Sequence, residues 1–345
     1  MSGSMEKVFK AIKRINQDIL PTQIDYTPEM KSIIKRILNI DDDQVDKKLN
    51  NHIKYLGLND KTKVDKKNGI QYDIWGIGWD LVLTEGFHIR YYPLLNSDDV
   101  KKYKFPDPED YLLNNIIEKA NKFSDDYFLF SLQNFTLFER SWLLWGYENV
   151  LTSFYLKEKE INYLLDGITD FQVEVAKKIV KLNLVNGLHT GDDFGTQRGM
   201  IMSPEIWRKF FKNRYKKIWG IYKESNLPVM HHSCGNIIEI INDLIDIGLD
   251  VLAPIQPEAM EPELLSNKFG ESLSFLGGIS TQKTLPFGTP WQVKKEIIER
   301  IKVLGKYDGY IISPSHEVTS DCKEENFLTM LETLECYRSG KLKII

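Results

Sequence analysis

Apolar and polar positions along this chain fall into two regimes. Up to about residue 56 the pattern is helical. Thr27-Pro28-Glu29 reads as an N-cap with proline at the first helical position, and Met30, Ile33, Ile34 and Ile37 recur on one face while lysines fill the other. A polar loop over 59–68 follows. Then comes an aromatic stretch, Gln71-Tyr-Asp-Ile-Trp-Gly-Ile-Gly-Trp79, whose rings and closely spaced glycines suit either a hairpin or the wall of a pocket. Phe105-Pro-Asp-Pro-Glu109 marks a boundary and a helix start.

Beyond it a rhythm sets in. Short apolar runs at 127–132, 185–190, 227–231, 251–252, 273–276 and 310–312 predict strands. Helical patterns separate most of them: 156–182, a helix from Ser203-Pro204 carrying Trp207, Phe210, Phe211, Tyr215 and Ile218, then 237–247, 289–305 and 326–337. Thr289-Pro-Trp-Gln292 is a capping-box start. Strands alternating with helices argue for a parallel sheet. The short sequential crossovers and the length of 345 residues favour an α/β fold of the (β/α)8 TIM-barrel kind with an N-terminal helical extension. Residues 1–4 read as a leader, 5–105 as the extension with its aromatic hairpin, and 106–345 as the barrel, all in one domain.

Composition narrows the function. Lysine plus arginine (45) nearly balances aspartate plus glutamate (49), which argues against a nucleic-acid surface. Three scattered cysteines exclude a disulfide framework and point to the cytoplasm. No apolar run approaches membrane-spanning length. Nothing in the residues chooses between a monomer and a homodimer.

The chemistry gathers where the strands end. In a barrel all strand ends face one mouth. That would bring together Asp192 and Asp193, His232 and Cys234, Gln256, Ser280 and Gln282, and Ser315 and His316. His232 and Cys234 are two apart, so on an extended chain they point to one side. A lone buried cysteine is usually a small hydrophobe, but here both side chains follow an apolar run, Leu227-Pro-Val-Met230, and a distant histidine falls at the same end. His232, Cys234 and His316 are therefore the expected zinc ligands, because zinc takes imidazole and thiolate together and a catalytic site keeps one position open. Such a metal lowers the pKa of a bound thiol. Asp192 and Asp193 could supply a fourth ligand, a base or an anchor, with Asp193 expected as a catalytic residue and Asp192 as a substrate contact. Of the two aspartates, one is expected merely to cap a turn. Asp73 is a candidate acid if the aromatic stretch faces the site, with Trp75 and Trp79 walling the pocket and Gln197 among the substrate contacts. Cys322 is an alternative ligand, and Cys336 is expected in the core.

From about Phe135 onward the chain resembles the uroporphyrinogen decarboxylase superfamily. The resemblance rests on Gly191-Asp-Asp-Phe-Gly-Thr-Gln, His232-Ser-Cys-Gly235, Gly277-Gly-Ile-Ser, and Ser315-His316 followed by Glu325-Asn326. It implies a barrel with an N-terminal helical extension. One branch decarboxylates porphyrinogens and carries an early Arg-Gln-Ala-Gly-Arg-Tyr stretch, which this chain lacks. His316 is similar in position to a histidine of that branch, and Asp73 falls near its catalytic aspartate. The other branch comprises zinc- and corrinoid-linked methyltransferases with His-x-Cys and a second distant cysteine. His232-Ser-Cys234 matches the first part, while Ser315-His316 stands where the second cysteine is expected.

The expectation is thus a methyltransferase moving a methyl group between a small methylated compound, or a thiol, and a corrinoid (cobalamin) on a partner protein, with zinc assisting. The alternatives are a metal-free decarboxylase of a tetrapyrrole-like acid using Asp73 and His316, which predicts an arginine-rich mouth that only Arg90, Arg140 and Arg198 could supply, and a non-catalytic corrinoid- or ligand-binding barrel.

Overall fold

The computed structural model describes residues 3–57, 59–60, 62–82, 88–97 and 99–342. Seven parallel strands form its central sheet in strict chain order: β1 (Ile53–Gly57), β2 (Phe128–Asn134), β3 (Gly187–Gly191), β4 (Val229–His232), β5 (Val251–Ile255), β6 (Ser274–Ile279) and β7 (Tyr310–Pro314). The last five are buried along almost their whole length, as expected for parallel strands covered on both faces, and this is why they read as unbroken apolar runs. Helices return the chain between strands, the longest being Glu158–Leu182. No described helix is long and apolar enough to cross a membrane.

The sheet curls. Residues far apart in strand order, Ile53 of β1, Phe130 of β2, Met230 of β4, Ala253 of β5 and Ile311 of β7, share one apolar cluster. Helix α1 (Gly3–Ile12) joins that cluster through Val8, Ala11 and Ile12 and so plugs one end of the curl. Between β7 and β1 runs an extended segment. Its Gln23 N–H donates to the Ile312 carbonyl, Ile312 N–H donates to the Pro21 carbonyl, and His52 N–H donates to the Thr22 carbonyl. Asn51 Oδ1 accepts from Ile24 N–H at 2.8 Å and the Asn51 amide donates to the Ile24 carbonyl at 3.0 Å. A side-chain amide thereby replaces a regular ladder.

Three expectations change. The first strand lies inside the region read as helical extension, so the sheet begins at Ile53 and not after residue 105. It was hidden because Ile-Lys-Tyr-Leu is short and its apolar run is interrupted by Lys54. Helix α1 begins at Gly3, inside the stretch read as a leader. Seven regular strands, not eight, are present among the described residues. The aromatic stretch does form a hairpin: residues 70–72 and 78–80 pair antiparallel within a four-stranded sheet of its own. Helix α2 (Pro28–Leu38) starts as read, its Thr27 side chain accepting from Met30 N–H.

Candidate metal centre

Strand alternation sets what faces inward. Tyr55, His189 with Gly191, His232 and Ala253 come from successive inward positions of β1, β3, β4 and β5, and all line a cavity of about 1080 Å³. His232 is paired in register with Gly191 and Ala253, two small neighbours that leave room for its ring.

Beyond His232 the chain turns through Ser233, whose hydroxyl accepts from Phe194 N–H at 3.0 Å. Cys234 comes back beside the ring, with Sγ 3.4 Å from His232 Nε2. His316, just past β7, faces His232 edge-on with ring centroids 5.7 Å apart. One ligand atom from each of the three lies within 4.8 Å of the others. Cys234 is fixed from two sides. Its N–H donates to Asp193 Oδ1 at 2.8 Å, and its sulfur accepts from the Gln256 amide at 3.4 Å, while Gln256 Oε1 takes Gly235 N–H at 2.7 Å.

The loops after β3 and β4 touch backbone to backbone, and Asn236 N–H donates to the Thr196 carbonyl. A Cβ on Gly235, where φ is +80°, would stand 2.2 Å from the Gly195 carbonyl carbon. The two glycines are therefore what lets His232-Ser-Cys-Gly nest against Gly191-Asp-Asp-Phe-Gly.

Burial governs the charges. It holds the His232 imidazole down to about 4, with His316 adding to the fall and Asp193 opposing it. Burial, then Asp193 and Glu139, pushes the Cys234 thiol well up. A neutral imidazole is what a metal needs, and a cation beside the sulfur inverts the penalty on its thiolate. Around zinc, tetrahedral donors at bond length stand about 3.5 Å apart. The Cys234–His232 spacing already meets this, and exposed His316 has freedom to close the remainder. Two nitrogens and a sulfur with a fourth position left to solvent fit that ion.

The sequence model described as uroporphyrinogen decarboxylase (URO-D) matches residues 74–337. The chain belongs to the uroporphyrinogen decarboxylase family. Its matched region contains all three candidate ligands, whereas Asp25, Lys54 and Tyr55 of the cavity lie before it. In structure the chain is similar to a methyltransferase from Methanosarcina mazei, with TM-score 0.72 at 15% identity over 98% of this chain and 100% of that one. No curated protein matches the sequence.

Within this family fold, several expected site residues serve other ends. Asp192 faces away from the cavity, fully buried. It accepts from Leu137, Phe138 and Glu139 N–H at 2.7, 2.9 and 2.9 Å and from the Tyr215 hydroxyl, capping the helix Phe138–Trp145 from a neighbouring strand. It is the structural member of the aspartate pair, not a substrate contact. Asp73 is spent on its own loop and off the cavity wall. It takes Trp75 N–H, Ile77 N–H and Trp79 Nε1 at 2.9–3.1 Å and Arg140 at 3.4 Å. Trp75 packs in the core against Phe171, and Trp79 stands behind Phe135, so the wall is Phe135 rather than either tryptophan. Gln197 and Gln282 are exposed, 3.5 Å apart, away from the wall. Ser315 is buried against Thr281. Cys322 turns its sulfur to the Leu285 and Lys323 carbonyls and takes no part in the cluster.

Other residues went unseen in the sequence. Glu139 lines the cavity, and burial plus the Asp192 and Asp193 carboxylates push it up to about 10. His189 sits between the Tyr55 ring at 5.0 Å and the His232 ring at 6.2 Å. Asp25 lines the cavity beside the end of β7, raised by burial to about 6. Counting back in twos from Gly191 would have found His189. Glu139, in the first turn of a helix, carried no such signal.

Proposed function

We propose that this chain is a methyltransferase. It moves a methyl group between a small methylated compound or thiol and the corrinoid of a partner protein docked at the cavity mouth, with zinc held by His232, Cys234 and His316. In the same reading, residues 21–27 serve as the irregular eighth stave of a (β/α)8 barrel. The observation that carries it is the convergence of one thiol and two imidazoles, from the ends of β4 and β7, within 4.8 Å of one another, with both imidazoles on the cavity wall.

Zinc there supplies Lewis-acid activation of a substrate sulfur or oxygen. The protein supplies the rest. Gln256 and Asp193 fix Cys234, so the cluster is set before any ligand arrives. Asp193 is part-exposed with an oxygen 3.7 Å from His232 Nε2, placed to take the proton a thiol gives up. The curl closes the α1 side of the cavity with apolar surface, so the cluster is reached from the opposite side. The free cysteines suit a reducing cytoplasm.

The decarboxylase alternative loses its footing. Among the described residues no arginine lines the cavity. Arg140 is buried between Trp75 and Phe135, and Arg90 pairs with Asp80. Among the described residues only Lys54, already paired with Asp46, is left to hold a substrate with several carboxylates.

The test is metal analysis of protein purified without added zinc, with methyl transfer to cob(I)alamin followed by absorbance. About one zinc per chain, lost in Cys234→Ser together with transfer, is expected. Full activity in a zinc-free preparation would refute the reading.

A further inference from the structure

The cavity wall is strongly one-sided in charge. Asp25, Asp46, Asp193, Glu317 and Asp321 all line it. Against them stands one described cationic side chain, Lys54, and that is already paired with Asp46. Asp25 gives one oxygen to the Gln23 amide at 2.7 Å, and its second oxygen has no hydrogen-bond partner among the described residues. The carboxylates also have company that points to a ligand. His189, 7% exposed, lines the same wall with an Nδ1 that finds no partner among the described residues. A buried polar atom left so normally meets a ligand or water.

The order of groups across the floor matters as much as the count. The Asp25 carbonyl accepts from Val318 N–H, two residues past His316 of the metal cluster, while the Tyr55 ring is tilted against His189 at 5.0 Å and the His189 ring meets His232 edge-on at 6.2 Å. An acid therefore shares the β7 side of the cavity with the sulfur- and oxygen-seeking metal centre, and two aromatic rings line the same wall. Aromatic faces beside a carboxylate favour a cation.

We propose that the small molecule bound at this centre is an ammonium-bearing thiol or its S-methyl derivative, with the ammonium opposite Asp25 and the sulfur at His232, Cys234 and His316. This rests on the methyl-transfer reading of the same site and adds its substrate class. The acidic wall selects against a thiol carrying a sulfonate or carboxylate. In the transfer, the S–CH3 bond breaks and its electron pair stays on sulfur as thiolate. The methyl passes to the cobalt(I) of the corrinoid, whose two electrons form the Co–C bond.

Binding, measured by calorimetry on the zinc-loaded protein, tests this without turnover. Three thiols of matched length serve as probes: 3-aminopropane-1-thiol, 3-sulfanylpropan-1-ol and 3-sulfanylpropanoate. The ammonium compound is expected to bind about tenfold tighter than the alcohol, the gain of one charge-assisted hydrogen bond, with the carboxylate weakest. Asp25→Asn is expected to remove that preference and leave the alcohol's affinity unchanged. Glu317→Gln, on an exposed side chain, is expected to reduce it by a smaller factor and serves should Asp25→Asn fail to fold. Equal binding of the three thiols, or a preference unmoved in both variants, overturns the proposal. Should the preference hold while no methyl reaches cob(I)alamin, the charge assignment stands and the methyl-transfer reading falls. Should transfer proceed from S-methyl derivatives of all three equally, the reverse is true.

Discussion

Asp192→Ala separates a structural carboxylate from a functional one. In the protein this side chain satisfies three backbone N–H groups, at 2.7, 2.9 and 2.9 Å, and the Tyr215 hydroxyl, all buried but the Glu139 N–H, which is part-buried. Truncation leaves four donors without an acceptor, each costing about 1 kcal/mol or more. Relief from burying a carboxylate, which burial raises to about 6, returns part of this. The net expectation is a loss of about 2–4 kcal/mol, or roughly 3–6 °C in Tm for a chain of this length. Thermal and urea unfolding followed by circular dichroism would measure it. Tyr215→Phe, which removes one of the four bonds, should lose about a quarter as much. Thiol affinity, read on folded protein at low temperature, should change little. An Asp192→Ala protein that melts like the parent but no longer binds thiols would refute the cap and return Asp192 to the substrate.

Three further outcomes follow from the same geometry. Glu139 keeps its proton in the folded chain up to about 10 but loses it near 4.5 when unfolded, so it erodes stability as pH rises between those values; Glu139→Gln should be more stable than the parent at pH 8 and equal to it near pH 4, by urea unfolding at each pH. Gln256→Ala removes the amide on Cys234 and the acceptor of Gly235 N–H, and should weaken zinc binding about 10–100-fold in a chelator competition. Gly235→Ala forces a side chain into left-handed backbone against Gly195, and should give protein that is largely insoluble or melts at least several degrees lower.

The sequence was legible where one physical signal dominated. Strands β3 to β7 are buried on both faces, so their apolar runs stood out, and the polar clusters after them marked the cavity end. His232 and Cys234 were placed together by period-two spacing alone. Illegibility had specific causes. Strand β1 is five residues long, its apolar run is interrupted by Lys54 and it looked like the end of a helix face, and residues 21–27 bond through Asn51 and Gln23 side chains that no periodicity reports. Asp192 and Asp193 are the same residue type side by side; only the inward phase of β3, with His189 and Gly191 on the cavity, assigns Asp193 to the site and Asp192 to the helix behind. Asp73 gave a false lead because a carboxylate among aromatics reads equally as a catalytic acid and as the hub of a tight loop.

Helix α1 has an effect on traffic as well as on stability. With Val8, Ala11 and Ile12 stoppering the curl, the well has a sealed base, and everything entering or leaving uses the same doorway. A bulky protein seated over that doorway would trap whatever lies beneath. Under the proposed methyl transfer, catalysis through such a cul-de-sac would be ordered: the small reactant would board first, the carrier would cover it, and the carrier would depart before the remnant escapes.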